Sequence, residues 1–128
     1  MVIEIGAHGK PFCPDGPQFN VSHSGDLILL ALHSHCRVGV DVEQVRPGLD
    51  WQPIAQRVLT EPQRQGLNEL PPPAQQEGFL AQWCALEAEL KAAGSGFAGR
   101  ENQQKATLRR WRLQLPPGYL GAVVITLD

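Results

Sequence analysis

Asp41 and Glu43 are the first residues in this 128-residue chain whose type and spacing suggest chemistry. They stand at i and i+2 in Val38-Gly39-Val40-Asp41-Val42-Glu43. In an extended strand such residues point to one side, about 7 Å apart, and Gly39 leaves that face uncrowded. Two carboxylates on a rigid strand can hold a hard cation such as Mg²⁺ through oxygen, with phosphates and water completing the octahedron. The same alternation also describes the wet face of a half-buried strand. Glu87 and Lys91 stand four residues apart, hence side by side on a helix. They suit an ordinary surface ion pair, or a third metal carboxylate beside a lysine that meets phosphate as a point charge.

Three further groups carry polar chemistry. Phe19-Asn20-Val21-Ser22-His23-Ser24-Gly25 reads as a polar, turn-like stretch. Its backbone N–H groups, serine hydroxyls and His23 could form a phosphate-binding concavity, and ordinary turn chemistry accounts for them too. His33-Ser34-His35-Cys36 lacks a fourth ligand at any zinc spacing and reads as strand end and loop. Arg109, Arg110 and Arg112, with Arg100 and Lys105 nearby, form either a solvated strand edge or a docking surface for an acidic partner.

The elements that must position these residues follow from periodicity. Val2–Ile5 forms a short strand, followed by loop. Leu27–His33 is an apolar run of strand length and Val38–Glu43 alternates cleanly. The four residues between them suit a hairpin, so the two are expected to be antiparallel neighbours. Trp51, Ile54, Ala55 and Val58 have the spacing of one helix face. Thr60, Pro62 and Gln63 start a second helix with a capping box, and the proline triplet 71–73 ends that segment. The longest helix is expected from about Ala74 to Ala93, with Phe79, Trp83, Leu86 and Leu90 as its core stripe. Gly94-Ser95-Gly96 is expected to stop it. A strand around Leu113 and Leu115 and another over Tyr119–Leu127 close the chain. This order predicts an α+β fold, with a mostly antiparallel sheet packed against one long helix.

Bulk properties narrow the function classes. The net charge of −2 gives no general pull toward nucleic acid or membrane, and no apolar run approaches the ~20 residues of a membrane span. Hydrophobic residues make up 42 %, enough for a packed core. Three cysteines without CxxC spacing, and an N-terminus without a signal pattern, point to a reduced cytoplasmic protein.

Taken in order, three of these segments resemble a known family. The run Phe19–Gly25, then Val38–Glu43 with Arg46-Pro47, then Trp83-Cys84-Ala85-Leu86-Glu87-Ala88-Glu89-Leu90-Lys91, is similar to the signature of surfactin-type (Sfp-like) 4'-phosphopantetheinyl transferases. That family reads FN-hydrophobic-SHSG, GIDIE followed by R, and W-x-x-KEA-x-x-K, and Gly9-Lys10-Pro11 resembles its upstream GKP element. The resemblance implies a Mg²⁺-dependent enzyme that moves phosphopantetheine from coenzyme A to a serine of an apo acyl or peptidyl carrier protein, releasing 3',5'-ADP. It implies Asp41, Glu43 and Glu87 as metal ligands. Lys91 and His23 would lie on the phosphates, with Ser22 and Lys10 at the nucleotide end. Glu87 and Lys91 are the implied catalytic pair, and the serine proton goes to Glu87 or to a metal-organised water held by Glu43.

Two departures accompany the match. Leu86 stands where the family has lysine. The family also joins two similar halves in one chain, whereas residues 1–26 correspond to a remnant of the first half with the phosphate-binding turn, and 27–128 to the transferase domain. A homo-oligomer, dimer or trimer, is therefore expected, with the carboxylates near the interface. The alternative is a degenerate module that binds Mg²⁺ and coenzyme A and pairs with another subunit.

Overall fold

The computed structural model describes residues 3–6, 9–94 and 107–127. Val2, Ser95, Gly96, Arg100 and Lys105, invoked above, lie outside the described residues. Two short strands, β1 (Glu4–Ile5) and β2 (Pro11–Phe12), pair antiparallel at the start. β3 (Gln18–Ser24) and β4 (Leu27–His33) form a hairpin about Gly25-Asp26, and the Asp26 N–H donates to the Tyr119 hydroxyl at 3.0 Å. β5 (Val38–Gln44) follows, then helices α1 (Gln52–Val58), α2 (Glu61–Asn68) and α3 (Pro72–Ala93), then β6 (Leu108–Arg112) and β7 (Tyr119–Thr126). β7 lies between β5 and β6 in a three-stranded antiparallel sheet, and α3 lies across it. The fold is α+β, with antiparallel sheets and one long helix. Among the described residues, no helix is long and apolar enough to cross a membrane.

Local chemistry explains the helix ends. Thr60 and Gln63 form the expected capping box, each side chain accepting from the other's backbone N–H. α3 begins two residues before Ala74, because prolines at 72 and 73 fit a first turn whose N–H groups have no partner anyway. It ends at Gly94, whose φ of 74° is the left-handed cap that glycine takes without a Cβ penalty.

Four expectations are corrected. Phe19–Ser24 is strand, not turn. Its alternate side chains Asn20, Ser22 and Ser24 accept the N–H groups of Val40, Val42 and Gln44 at 2.8, 3.0 and 2.9 Å. A row of side chains thus satisfies the free edge of β5, which explains why polar residues sit in a strand. For the same reason β4 and β5 are not paired neighbours: β4 pairs with β3, and β5 with β7. The sixth strand lies over Leu108–Arg112 rather than around Leu113 and Leu115, although the Leu113 N–H still bonds the Gly121 carbonyl at 3.0 Å. Finally, the face of β5 bearing Asp41 is not wet. Val38, Gly39, Val40, Asp41 and Val42 are all buried.

The core has two parts. Trp51, Ala55, Val58, Leu59, Leu67, Phe79 and Leu80 pack together, with Trp83 and Leu86 half-buried against them. Phe79 stacks between Trp51 and Trp83, with ring centroids 5.7 and 6.1 Å away. The second part is built of small residues: Cys84, Ala88 and Ala92 of α3 meet Ala122 and Val124 of β7. The expected stripe of Phe79, Trp83, Leu86 and Leu90 thus describes only one side of α3.

Candidate active site

The small-residue seam brings α3 close over β5, and the functional side chains flank it. Asp41 lies on β5 beneath the helix, only 7 % exposed. The Ser22 hydroxyl accepts the Val42 N–H and contacts Asp41 Oδ1 at 3.4 Å. Lys91 reaches back over the strand edge. Its ammonium donates to the carbonyls of Val40 at 2.9 Å and Val21 at 3.1 Å, and lies 3.9 Å from Asp41 Oδ1. Lys91 therefore ties α3 to both β5 and β3, a greater role than a surface pair with Glu87.

The electrostatics of this group are costly. Burial pushes the Asp41 carboxyl up to about 7; the Glu43 charge adds to this, Lys91 opposes it, and Glu87 adds again. A Cys84 thiol contact lowers it slightly. Glu87 is likewise raised, first by burial, with Lys91 opposing and Glu43 reinforcing. Cys84, buried and donating to the Leu120 carbonyl at 3.5 Å, has its own thiol pushed well up by burial and by the neighbouring carboxylates. Asp41 Oδ2 is buried with no hydrogen-bond partner. An orphaned carboxylate oxygen facing like charges is the environment that a divalent cation relieves. Asp41, Glu43 and Glu87 supply the carboxylate oxygens that a hard cation takes. Among the described residues no group of three or more acidic, histidine or cysteine side chains is arranged to hold a metal ion. The coupling of these three is electrostatic, through charge repulsion.

Lys10 approaches from the other end of β5. Its ammonium donates to the Val38 carbonyl at 3.0 Å and the Ala92 carbonyl at 3.5 Å. Burial lowers it to about 8, with repulsion from Arg37 and Lys91 adding to the effect.

Contacts bring Asp41, Ser22 and Lys91 together, Glu43 and Glu87 act on Asp41 through their charge, and Lys10 ties the Val38 end of β5 to α3. The fold does not bring His23 to them. His23 alternates with Ser22 along β3 and projects from the opposite, exposed face, opposite Ile28. The basic tail divides as well: Arg110 pairs with Glu89 of α3, whereas Arg109 and Arg112 are exposed on the edge strand β6. His33 closes its loop by accepting the N–H groups of His35 and Cys36 at 3.0 and 2.7 Å.

Sequence reasoning missed Asn20 and Ser24 as supports, Cys84 beneath Asp41, and a cavity of about 140 Å³ beside Glu43. That cavity is lined by Glu43, Arg46, Leu49, Ile54, Phe79 and Trp83, among others. The available signal was the Cys84-Ala88-Ala92 spacing opposite Gly39.

Comparison with known proteins bears on this geometry. Residues 37–119 match the family described as the 4'-phosphopantetheinyl transferase superfamily. The chain is 36 % identical to 4'-phosphopantetheinyl transferase HetI of Nostoc sp., over 77 % of this chain and 44 % of that protein. It is 38 % identical to AcpT of Escherichia coli K12, over 72 % of this chain and 48 % of that protein. It is 30 % identical to a 4'-phosphopantetheinyl transferase of Bacillus subtilis, over 97 % and 56 % respectively. The chain spans about half the length of the curated relatives it matches.

Proposed function

Because this chain belongs to the 4'-phosphopantetheinyl transferase superfamily, we propose that it transfers 4'-phosphopantetheine from coenzyme A to a serine of an apo acyl or peptidyl carrier protein. The reading takes Mg²⁺ as the metal and 3',5'-ADP as the leaving group. The observation that most supports it is the buried Asp41 carboxyl, with its unpartnered Oδ2, set among Glu43, Glu87 and Lys91. An idle site gains nothing from such a raised carboxyl group.

In this reading Asp41, Glu43 and Glu87 hold the cation, which when bound supplies charge neutralisation at the phosphate oxygens. Two of the three Lys91 protons are taken by the Val40 and Val21 carbonyls, and the third is left for Asp41 or a phosphate oxygen. Lys91 thus faces the negative charge that grows in the transition state, from a position fixed before substrate arrives. The carrier serine oxygen bonds to the β-phosphorus as the bond to 3',5'-ADP breaks. Its proton passes to Glu87 or to a water held by Glu43. Ser22 positions Asp41, and Lys10 and His23 serve the nucleotide end. His23 faces away from its own carboxylates, so this role goes with a homo-oligomer, dimer or trimer, in a cytoplasmic protein. Residues 1–26 then supply the remnant of a first half and 27–128 the transferase unit.

Leu86 favours a second reading. It packs half-buried against the Trp51 and Phe79 cluster, so no cation stands where the family has lysine. A module that binds Mg²⁺ and coenzyme A without transfer, paired with another subunit, accommodates that change. Incubation with coenzyme A, Mg²⁺ and several apo carrier proteins separates the two: a heavier carrier supports transfer, and binding without any mass gain supports the module.

A further inference from the structure

The cavity of about 140 Å³ beside Glu43 is walled mainly by aliphatic and aromatic side chains, Leu49, Ile54, Phe79 and Trp83 among them, and Arg46 joins Glu43 as its charged part. Packing fixes these walls. Phe79 is 1 % exposed and stacks on Trp83. The chain between β5 and α1, which carries Arg46 and Leu49, is tied down twice. The Gln76 side chain of α3 donates to the Arg46 carbonyl, and the Val45 N–H donates to the Gly118 carbonyl at 2.8 Å. The space is therefore formed before any ligand arrives, as small-molecule sites usually are.

Size and position restrict the occupant. An apolar cavity of roughly 150 Å³ admits a molecule the size of benzene, so this one takes a compact apolar group rather than a long chain. Glu43 lines the cavity and also acts on Asp41 through its charge. The occupant is thus joined closely to whatever the candidate site holds. In coenzyme A the reacting β-phosphorus carries one apolar group directly, the pantoyl part of the pantetheine arm. Its quaternary carbon, with two methyl groups, lies one oxygen and one methylene from the phosphorus. We propose that the cavity receives this dimethyl group, with Arg46 donating to the hydroxyl or amide carbonyl that follows it. Leu49, Ile54 and Trp83 then select the arm at its phosphate end. A carrier-protein side chain suits the space less well, because it reaches the phosphorus only through the serine and its backbone.

Coenzyme A as the ligand is taken from the proposed function, and calorimetry with Mg²⁺ present tests the cavity apart from transfer. A coenzyme A analogue with hydrogens in place of the two pantoyl methyls is expected to bind the wild-type chain about tenfold more weakly, the factor that two buried methyl groups supply. Leu49→Trp, which fills the space from a loop position, is expected to weaken coenzyme A by about tenfold. It should leave 3',5'-ADP, which has no arm, unchanged. Equal binding of coenzyme A and the analogue would overturn the proposal, whether or not Leu49→Trp folds. So would a Leu49→Trp protein that loses both ligands alike. One that binds coenzyme A normally and raises only the carrier's KM would give the cavity to the carrier instead. Methyl-dependent affinity without mass gain on any carrier keeps the cavity's role and removes transfer; transfer with equal affinity for coenzyme A and the analogue does the reverse. A folded wild-type chain that binds no coenzyme A would end both.

Discussion

Gly39 of β5 and Ala88 of α3 meet with no side chain between them: a Cβ on Gly39 would lie 2.0 Å from the Ala88 carbonyl oxygen and 2.4 Å from the Ala92 nitrogen. Both contacts are backbone, so neither can swing aside. This contact sets the height of α3 over the strand, and with it the approach of Glu87 and Lys91 to Asp41. Gly39→Ala is therefore expected to destabilise the protein by about 3 kcal/mol or more. Chemical denaturation measures this. Wild-type stability in that variant would show that the helix does not depend on the glycine.

Lys91→Met should separate stability from chemistry. Losing two hydrogen bonds from an ammonium to carbonyls costs about 2 kcal/mol of stability, whereas a missing transition-state contact lowers transfer by about a hundredfold. Rates measured well below the melting temperature, beside a melting curve, distinguish the two. A destabilised but fully active variant would make Lys91 a purely structural tie.

Asp41 gives the metal-free protein a pH dependence of unusual sign. Its carboxyl, ordinarily at 3.8, is raised to about 7. Between those values the folded state keeps a proton that the unfolded state has lost. Asp41 therefore supports the fold fully below 3.8, and that support is lost as pH rises to 7, by at most about 1.4 kcal/mol per unit. Asp41→Asn should flatten this slope and raise stability at neutral pH. Mg²⁺ should raise the wild-type melting temperature, more at pH 8 than at pH 5, and leave Asp41→Asn unmoved. Equal Mg²⁺ responses in both proteins would remove Asp41 from the metal site.

Much of this arrangement was legible in the chain. The alternation of Val38–Glu43 located β5 to within a residue, and the Thr60 capping box and Gly94 cap bounded two helices correctly. What was not legible depended on tertiary contact. Hydrophobic spacing overlooks Cys84, Ala88 and Ala92, because small residues mark close approach rather than apolar bulk, and so the burial of Asp41 went unseen. Asn20, Ser22 and Ser24 looked like a turn because such side chains usually bond their own backbone; here they bond a strand about 20 residues away in sequence. Neighbouring strands in sequence suggested a β4–β5 hairpin, whereas the β3–β4 turn had already claimed β4.

That division of labour within Phe19–Gly25 is testable. Asn20 is 5 % exposed and its Oδ1 holds the Val40 N–H. Asn20→Ala is expected to cost about 1–3 kcal/mol by leaving that donor unsatisfied. His23→Ala, on the exposed face, should leave the melting curve unchanged yet weaken coenzyme A binding measured by calorimetry. Loss of stability in the histidine variant, with binding intact, would reverse their assigned roles.

Mass spectrometry of apo carrier proteins after incubation with this chain, coenzyme A and Mg²⁺ reads phosphopantetheine transfer itself. At least one carrier is expected to gain a single phosphopantetheine on its serine, dependent on Mg²⁺, with no gain from Asp41→Asn or Glu87→Gln. Carriers left unmodified by the folded wild-type protein, or modified equally by the Asp41→Asn variant, would contradict it.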